Sequence, residues 1–253
     1  MKAFCALLLF AVATTAQVKK PEPRPVKPSF AESLQAVVVT TPSWDSVNGT
    51  ARLYQRKSRS HEWTIVGDSF PVVVGKKGLA IDQSNQWSKE ISTVTKREGD
   101  GRSPAGLIPL TFAFGLTEKP NGLKLSYTRL AEFTECVDDT NSSHYNRVVE
   151  RMQVGNYDWK SSEKMAAITP EYDLGVFVAY NSYPSPIKGN GSCIFLHIWK
   201  DAETGTAGCT AMARENLERI VKLLDPKKKP YLVQLPDEAY GHYRKSWNLP
   251  KLK

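Results

Sequence analysis

The chain has 253 residues, of which 41% are hydrophobic and 24% charged, with 16 Gly and 16 Pro. This composition is close to that of ordinary globular chains and excludes collagen-like, coiled-coil and wholly disordered architectures. The 34 Lys and Arg outnumber the 26 Asp and Glu, leaving a formal charge of +8, a sign that suits an anionic surface such as a cell wall or membrane face.

At the N-terminus Lys2 precedes an apolar run, Ala3–Ala13, which gives way to the small residues Thr14, Thr15 and Ala16. That run is shorter than the roughly 20 residues a bilayer-spanning helix needs. A basic start, a short apolar stretch and a small-residue exit form the pattern of a secretory leader. Residues 1–16 are therefore expected to be a signal peptide. The protein is then exported, to the periplasm or cell envelope, with no integral membrane segment in its mature form. Residues 17–34 are basic and carry Pro21, Pro23, Pro25 and Pro28, a composition that predicts an extended, proline-rich linker. Residues 35–253 remain for one folded domain.

Short β-type runs open that domain at Ala36–Thr40, Thr50–Tyr54, Glu62–Val66 and Phe70–Val74, with turn signals at Asn48-Gly49, Gly67-Asp68 and Gly75. A glycine-bearing loop, Lys96–Gly106, leads into the strand-like Leu107–Phe112. It lacks the Gly-Lys-Ser/Thr ending and following helix of a phosphate loop. Leu174–Tyr180 reads as a buried strand. Leu217, Ile220, Val221 and Leu224 fall at helical spacing before Asp225-Pro226, predicting one amphipathic helix after the last sheet segment. The fold class is mainly β with a few helices.

Excluding Cys5 of the leader leaves Cys136, Cys193 and Cys209. Three cysteines cannot all pair within one chain, so at least one is an intermolecular partner or a reactive thiol. A bridge between Cys136 and Cys193 would leave Cys209 free, and the sequence leaves that pairing open. Ser192–Trp199 has strand composition, which places Cys193, Phe195, His197 and Trp199 on one face. Turn formers Asp201, Thr204 and Gly205 follow. A reversal centred on Glu203 makes His197 and Cys209 directly opposed neighbours of an antiparallel pair, with Cβ atoms about 4.5–5.5 Å apart. An imidazole at that distance can take a thiol's proton and generate the nucleophilic thiolate. Gly208 lets a carbonyl approach the backbone, where amide N–H groups can form an oxyanion hole.

The segment from His197 to Thr206-Ala207-Gly208-Cys209 resembles the signature of the L,D-transpeptidase catalytic domain (YkuD-like) family, a strand histidine followed by a turn and Ser/Thr-x-Gly-Cys. The resemblance extends to Gly99–Gly106, to the block from Cys136-Val137-Asp138-Asp139 to Tyr145-Asn146, and to Gly191-Ser192, covering roughly residues 36–235. It implies a β-sandwich-like L,D-transpeptidase catalytic fold. It also implies an enzyme of peptidoglycan in which Cys209 is the nucleophile, His197 the general base and acid, and Gly208 the oxyanion-hole backbone. The thiol attacks a stem tetrapeptide, releases D-alanine and leaves a thioester for an amine or water to resolve. L,D-carboxypeptidase action and a non-catalytic wall-binding role on the same fold are the alternatives. Three departures stand out: Ala207 replaces the familiar histidine, Thr210-Ala211-Met212 lacks the customary arginine, and the histidine-to-cysteine spacing is short.

Arg102, Ser192, Trp199 and Thr206 are the candidate substrate-binding residues. Arg147, Lys200 and Arg214 are further candidates for stem-peptide carboxylates, and Trp159, Tyr180 and Tyr183 for a groove wall. Asp138 and Asp139 are expected in a turn. His197, Cys193 and Cys209 lack the C-x-x-C or H-x-x-x-H spacing of a zinc site, so no metal and no cofactor is expected. The expected partners are peptidoglycan stem peptides, with no nucleic acid.

Overall fold

The computed structural model describes residues 30–82 and 94–252. The leader expected over 1–16 and residues 17–29 of the linker expected over 17–34 lie outside the described residues. Residues 30–34, ahead of the predicted boundary at residue 35, are already part of the described fold. Phe30–Glu32 form a 3-10 turn, and the Phe30 ring packs 5.7 Å from that of Trp63 and 5.6 Å from that of Tyr231. Arg56 donates to the carbonyls of Ser33 and Ala31, both at 2.7 Å. An apolar ring and two satisfied carbonyls tie residues 30–34 to the domain and take them out of the linker.

Strands β1 (Gln35–Thr41) and β2 (Asn48–Gln55) pair antiparallel, and β2 also pairs with β3 (Thr64–Ile65) and β4 (Phe70–Val73). Asn48 and Gly49, expected as a turn, open β2 opposite Val73 and Val72. Next come β5 (Leu79–Ile81), the 13-residue β6 (Ser103–Gly115) and β7 (Ser126–Arg129), the last two paired in parallel. A separate sheet is built from β8 (Thr134–Cys136), β9 (Val148–Glu150), followed by the one-turn helix α1 (Arg151–Val154), and β10 (Glu163–Lys164), in the order β10-β8-β9. The chain then returns through β11 (Leu174–Val178), β12 (Phe195–Ile198), β13 (Thr210–Met212), α2 (Arg214–Leu223), β14 (Tyr231–Pro236) and α3 (Asp237–Tyr243).

The main sheet runs β1-β14-β6-β11-β12-β13-β4-β2, and β1 pairs with β2 as well, so the pairings close into a ring. Closure leaves β1 and β14 paired on both edges, and with α3 packed against both strands every residue of β1 and of β14 is buried. It also corrects the expectation that the sheet ends before the amphipathic helix. Strand β14 lies between β1 and β6, and Tyr231–Gln234 pair on both sides. Helix α2 forms where predicted. Leu217, Ile220 and Val221 are buried along one stripe, each contributing about 1.5–3 kcal/mol of apolar transfer.

Side-chain alternation divides the apolar residues between the two faces of β11 and β12. Leu174, Val176, Val178, Leu196 and Ile198 join the main core with Met212. Phe177 and Phe195 face the other way, into a second cluster with Phe114, Met165, Tyr172, Cys136, Cys193 and Cys209. Cys136 of the small sheet lies in this second cluster. Among the described residues no helix is long and apolar enough to cross a membrane.

Candidate active site

His197 and Cys209 are brought together by parallel pairing, not by a hairpin. Strand β12 pairs with β13 in parallel, Leu196 opposite Thr210 and His197 opposite Ala211. Paired residues point the same way, so Phe195, His197, Cys209 and Ala211 share the second-cluster face. His197 is therefore diagonal to Cys209, roughly 8 Å away between Cα atoms from a strand spacing of about 4.8 Å and a rise of about 3.3 Å per residue. The turn signals were real, for Asp201 Oδ1 accepts from the amides of Glu203 and Thr204 at 2.9 and 2.6 Å. What redirects the chain lies later. Thr206 bridges to Gly75, its amide donating to Val74 and its carbonyl accepting from Lys76. This excursion past the end of β4 returns β13 alongside β12 in the same direction. A Cβ on Gly75 would meet the Gly101 carbonyl oxygen at 2.5 Å, so only glycine permits the approach.

The Thr-x-Gly-Cys turn has a physical reason for its residue types. The Thr206 hydroxyl accepts from the Gly208 amide at 3.1 Å and donates to the Cys209 carbonyl at 2.6 Å. Ser103 Oγ donates to the same carbonyl at 2.7 Å while accepting from the Gly75 amide at 2.8 Å. The backbone at the cysteine is thus fixed from two sides. Gly208 is buried, and a Cβ there would stand 3.2 Å from the Arg102 carbonyl oxygen. Thr206, expected to touch substrate, here serves to position Cys209. The Gly208 amide is engaged within the turn.

His197 is buried, and its Nδ1 lies 2.7 Å from the Ile198 carbonyl oxygen. A carbonyl only accepts, so Nδ1 carries the proton and Nε2 keeps the lone pair. Burial lowers the imidazole pKa below its usual 6.5, partly offset by the Ile198 carbonyl and Glu171. A neutral ring with a basic Nε2 is the form a general base requires.

Cys136 and Cys193 form a disulfide, and among the described residues Cys209 is the free cysteine. Cys209 is 7% exposed, and its thiol accepts the Phe195 amide at 3.3 Å and donates to the Cys193 carbonyl at 3.4 Å. Cys193 itself has a positive φ of 54°. Asn146 stabilises that conformation: its Oδ1 accepts from the Cys193 amide at 2.9 Å, while Nδ2 donates to the carbonyls of Tyr180 and Asn181. Burial, then the negative charge of Glu163, pushes the Cys209 thiol pKa well up; the Phe195 amide, the Tyr172 hydroxyl and the Lys96 charge pull it back.

Tyr172 links these groups. Its ring packs edge-on 5.3 Å from His197 and 5.4 Å from Phe195. Its hydroxyl donates to Glu163 Oε2 at 2.6 Å, and it shares one packed cluster with Cys209. Neither Tyr172 nor Glu163 was singled out from sequence as a site residue. Tyr172 reaches the histidine because the Ile198 amide donates to the Glu171 carbonyl at 3.1 Å, extending the β11–β12 register by a contact that no local pattern encodes.

The other predicted contacts divide. The Arg102 guanidinium is turned inward, pairing with Asp45 at 2.8 Å and donating to the Leu79 carbonyl at 3.1 Å, so it staples loops in place of presenting a free cation. Ser192 Oγ donates to Glu98 Oε2 at 2.7 Å, and Tyr145 donates to the same carboxylate oxygen. Trp199 is half-buried, its amide donating to Met212. Arg214 pairs with Asp173, whereas Arg147 and Lys200 are exposed. Trp159 and Tyr180 are buried, and Tyr183 is 69% exposed. Asp139 occupies the expected turn, accepting from the amides of Asn141 and Lys160.

A mainly β domain that holds a thiol and an imidazole on one sheet face defines a class of cysteine-bearing catalytic domains. The family model YkuD, L,D-transpeptidase catalytic domain, matches residues 47–233. The chain belongs to that family. No curated protein and no solved structure matches the chain.

Proposed function

We propose that the protein is an exported cysteine acyltransferase that acts on peptidoglycan stem tetrapeptides by L,D-transpeptidation. The observation that carries the proposal is the shared face of Cys209 and His197, with Nδ1 of the histidine engaged by the Ile198 carbonyl and Nε2 left basic. His197 Nε2 takes the Cys209 proton. The thiolate attacks the carbonyl carbon after the L-centre of the diamino acid, forming a C–S bond. The Gly208 amide leaves Thr206 to meet the oxyanion. As the tetrahedral centre collapses, the C–N bond to D-alanine breaks, and the leaving nitrogen takes the proton from His197. An amine of a second stem then attacks the thioester carbonyl, forming a new C–N bond and giving a proton to His197; the C–S bond breaks, and the sulfur takes that proton back from His197.

Incubation with purified tetrapeptide muropeptides, followed by mass analysis, tests this. Cross-linked dimer with released D-alanine is expected. Conversion to tripeptide alone would assign a carboxypeptidase. The burial of Cys209 favours a second reading, a wall-binding protein without turnover, which predicts muropeptide retention and no product.

A further inference from the structure

Tyr172 donates its one hydroxyl proton to the Glu163 carboxyl at 2.6 Å, and it shares a packed cluster with the Cys209 sulfur, a second acceptor whose ionisation the same hydroxyl favours. It cannot serve both. With Glu163 ionised, the proton lies toward the carboxylate, and the phenol oxygen offers the thiol only a lone pair. With Glu163 protonated, the carboxyl O–H can donate to the phenol oxygen and release the phenol O–H toward sulfur, where it stabilises a thiolate.

We propose that Glu163 is a positioning residue that, acting through Tyr172, sets whether Cys209 is held as a thiol or released as a thiolate. This rests on the reading of Cys209 as nucleophile and adds a control to it. The placement is built by two elements. Glu163 comes from β10 of the small sheet, Glu163 pairing with Cys136, and Cys136 is disulfide-bonded to Cys193, whose carbonyl accepts the thiol. Tyr172 comes from the segment before β11 and touches the histidine ring as well.

The charged surroundings of Glu163 give the switch its working range. Burial raises its carboxyl pKa to about 7, the Tyr172 hydroxyl opposes this, and the carboxylates of Asp138 and Glu98 add to the rise. Its neighbour Lys164 is paired with Glu135 at 2.6 Å. The cation acting on the sulfur is Lys96, itself bonded to Asp100 at 2.7 Å. As pH rises through 7, Glu163 gains charge, and the rise in thiolate slows where a lone thiol would gain tenfold per unit.

The test is the pH dependence of Cys209 alkylation by iodoacetamide, in which sulfur displaces iodide, measured on the full chain from pH 5 to 10. A plot of log rate against pH with a reduced slope near pH 7 is expected. In Glu163→Gln that inflection disappears, and the rate at pH 8 rises about threefold or more, the gain in thiolate fraction outweighing its lower nucleophilicity. On a Tyr172→Phe background, Glu163→Gln has less than half that effect. A uniform change across all pH values in Glu163→Gln, or an undiminished effect in the Tyr172→Phe background, would overturn the proposal. Muropeptide turnover is followed in parallel. An inflection without turnover leaves the switch standing and removes the transpeptidase assignment; turnover without an inflection does the reverse. Near-ultraviolet circular dichroism establishes that each variant is folded, and if Glu163→Gln is not, the wild-type inflection and the Tyr172→Phe profile decide.

Discussion

The two walls of the site are built in different ways. One is the sheet wall, β12 and β13 with the turn between them, where His197 and Cys209 are fixed by strand pairing and by the hydroxyls of Thr206 and Ser103. The other is the small-sheet wall, from Cys136 to Tyr172, held by one disulfide, by Asn146 and by the Tyr172–Glu163 bond. The sheet wall supplies the reacting groups. The small-sheet wall supplies their dielectric and charge, because its apolar cover and the Glu163 carboxylate both oppose ionisation of the thiol. Identity of the chemistry and readiness of the chemistry are therefore carried by separate stretches of chain.

Changes in the sheet wall should abolish turnover. Cys209→Ala is expected to remove all covalent labelling and all muropeptide product, with the urea midpoint little altered. His197→Ala should lower the acylation rate by about 10²–10⁴-fold through loss of proton transfer, read by single-turnover kinetics. Residual activity near wild type would remove the histidine from the mechanism.

Changes in the small-sheet wall should act first on stability. The double change Cys136→Ser with Cys193→Ser frees a link across 57 residues and is expected to cost about 2–5 kcal/mol by urea titration. Thr206→Val, back in the sheet wall, should cost about 1–2 kcal/mol, because it removes the partner of the Gly208 amide while Ser103 still holds the Cys209 carbonyl. The smallest effect is a pH dependence. Glu163 rises from 4.5 to about 7 on folding, so between those values the folded chain holds more protons than the unfolded one. Stability then falls as pH rises through that window and stays lower above it. Such a shift is equivalent to about 3 kcal/mol, and because Glu163 is only half-buried, solvent screening cuts the expected fall to about 1 kcal/mol, absent in Glu163→Gln; stability that rises across the window would contradict the assignment.

The same contrast explains what the sequence disclosed. Val37, Val38 and Val39 announce a buried strand, because burial on both faces leaves an unbroken apolar run, and Leu217, Ile220 and Val221 announce a helix face, because burial on one face imposes a period. The Thr206–Cys209 turn was legible because its residue types are dictated by local hydrogen bonds. Strand direction was not. Asp201 and Thr204 make a genuine turn, and only the distant pairing of Thr206 with Gly75 converts the expected hairpin into a parallel crossover. Likewise β14 closes the ring through partners far away in the chain. Glu163 and Tyr172 were invisible for the same reason: their function depends on the small sheet's docking and on β11 register, both non-local.

The most direct test of the cysteine assignment is acylation by a carbapenem-type β-lactam, a strained cyclic amide that a reactive thiolate opens. Intact-mass spectrometry is expected to show one adduct per chain, mapped by peptide digestion to Cys209 and absent from Cys209→Ala. A folded wild-type chain that gains no mass, or an adduct that persists in Cys209→Ala, would contradict it.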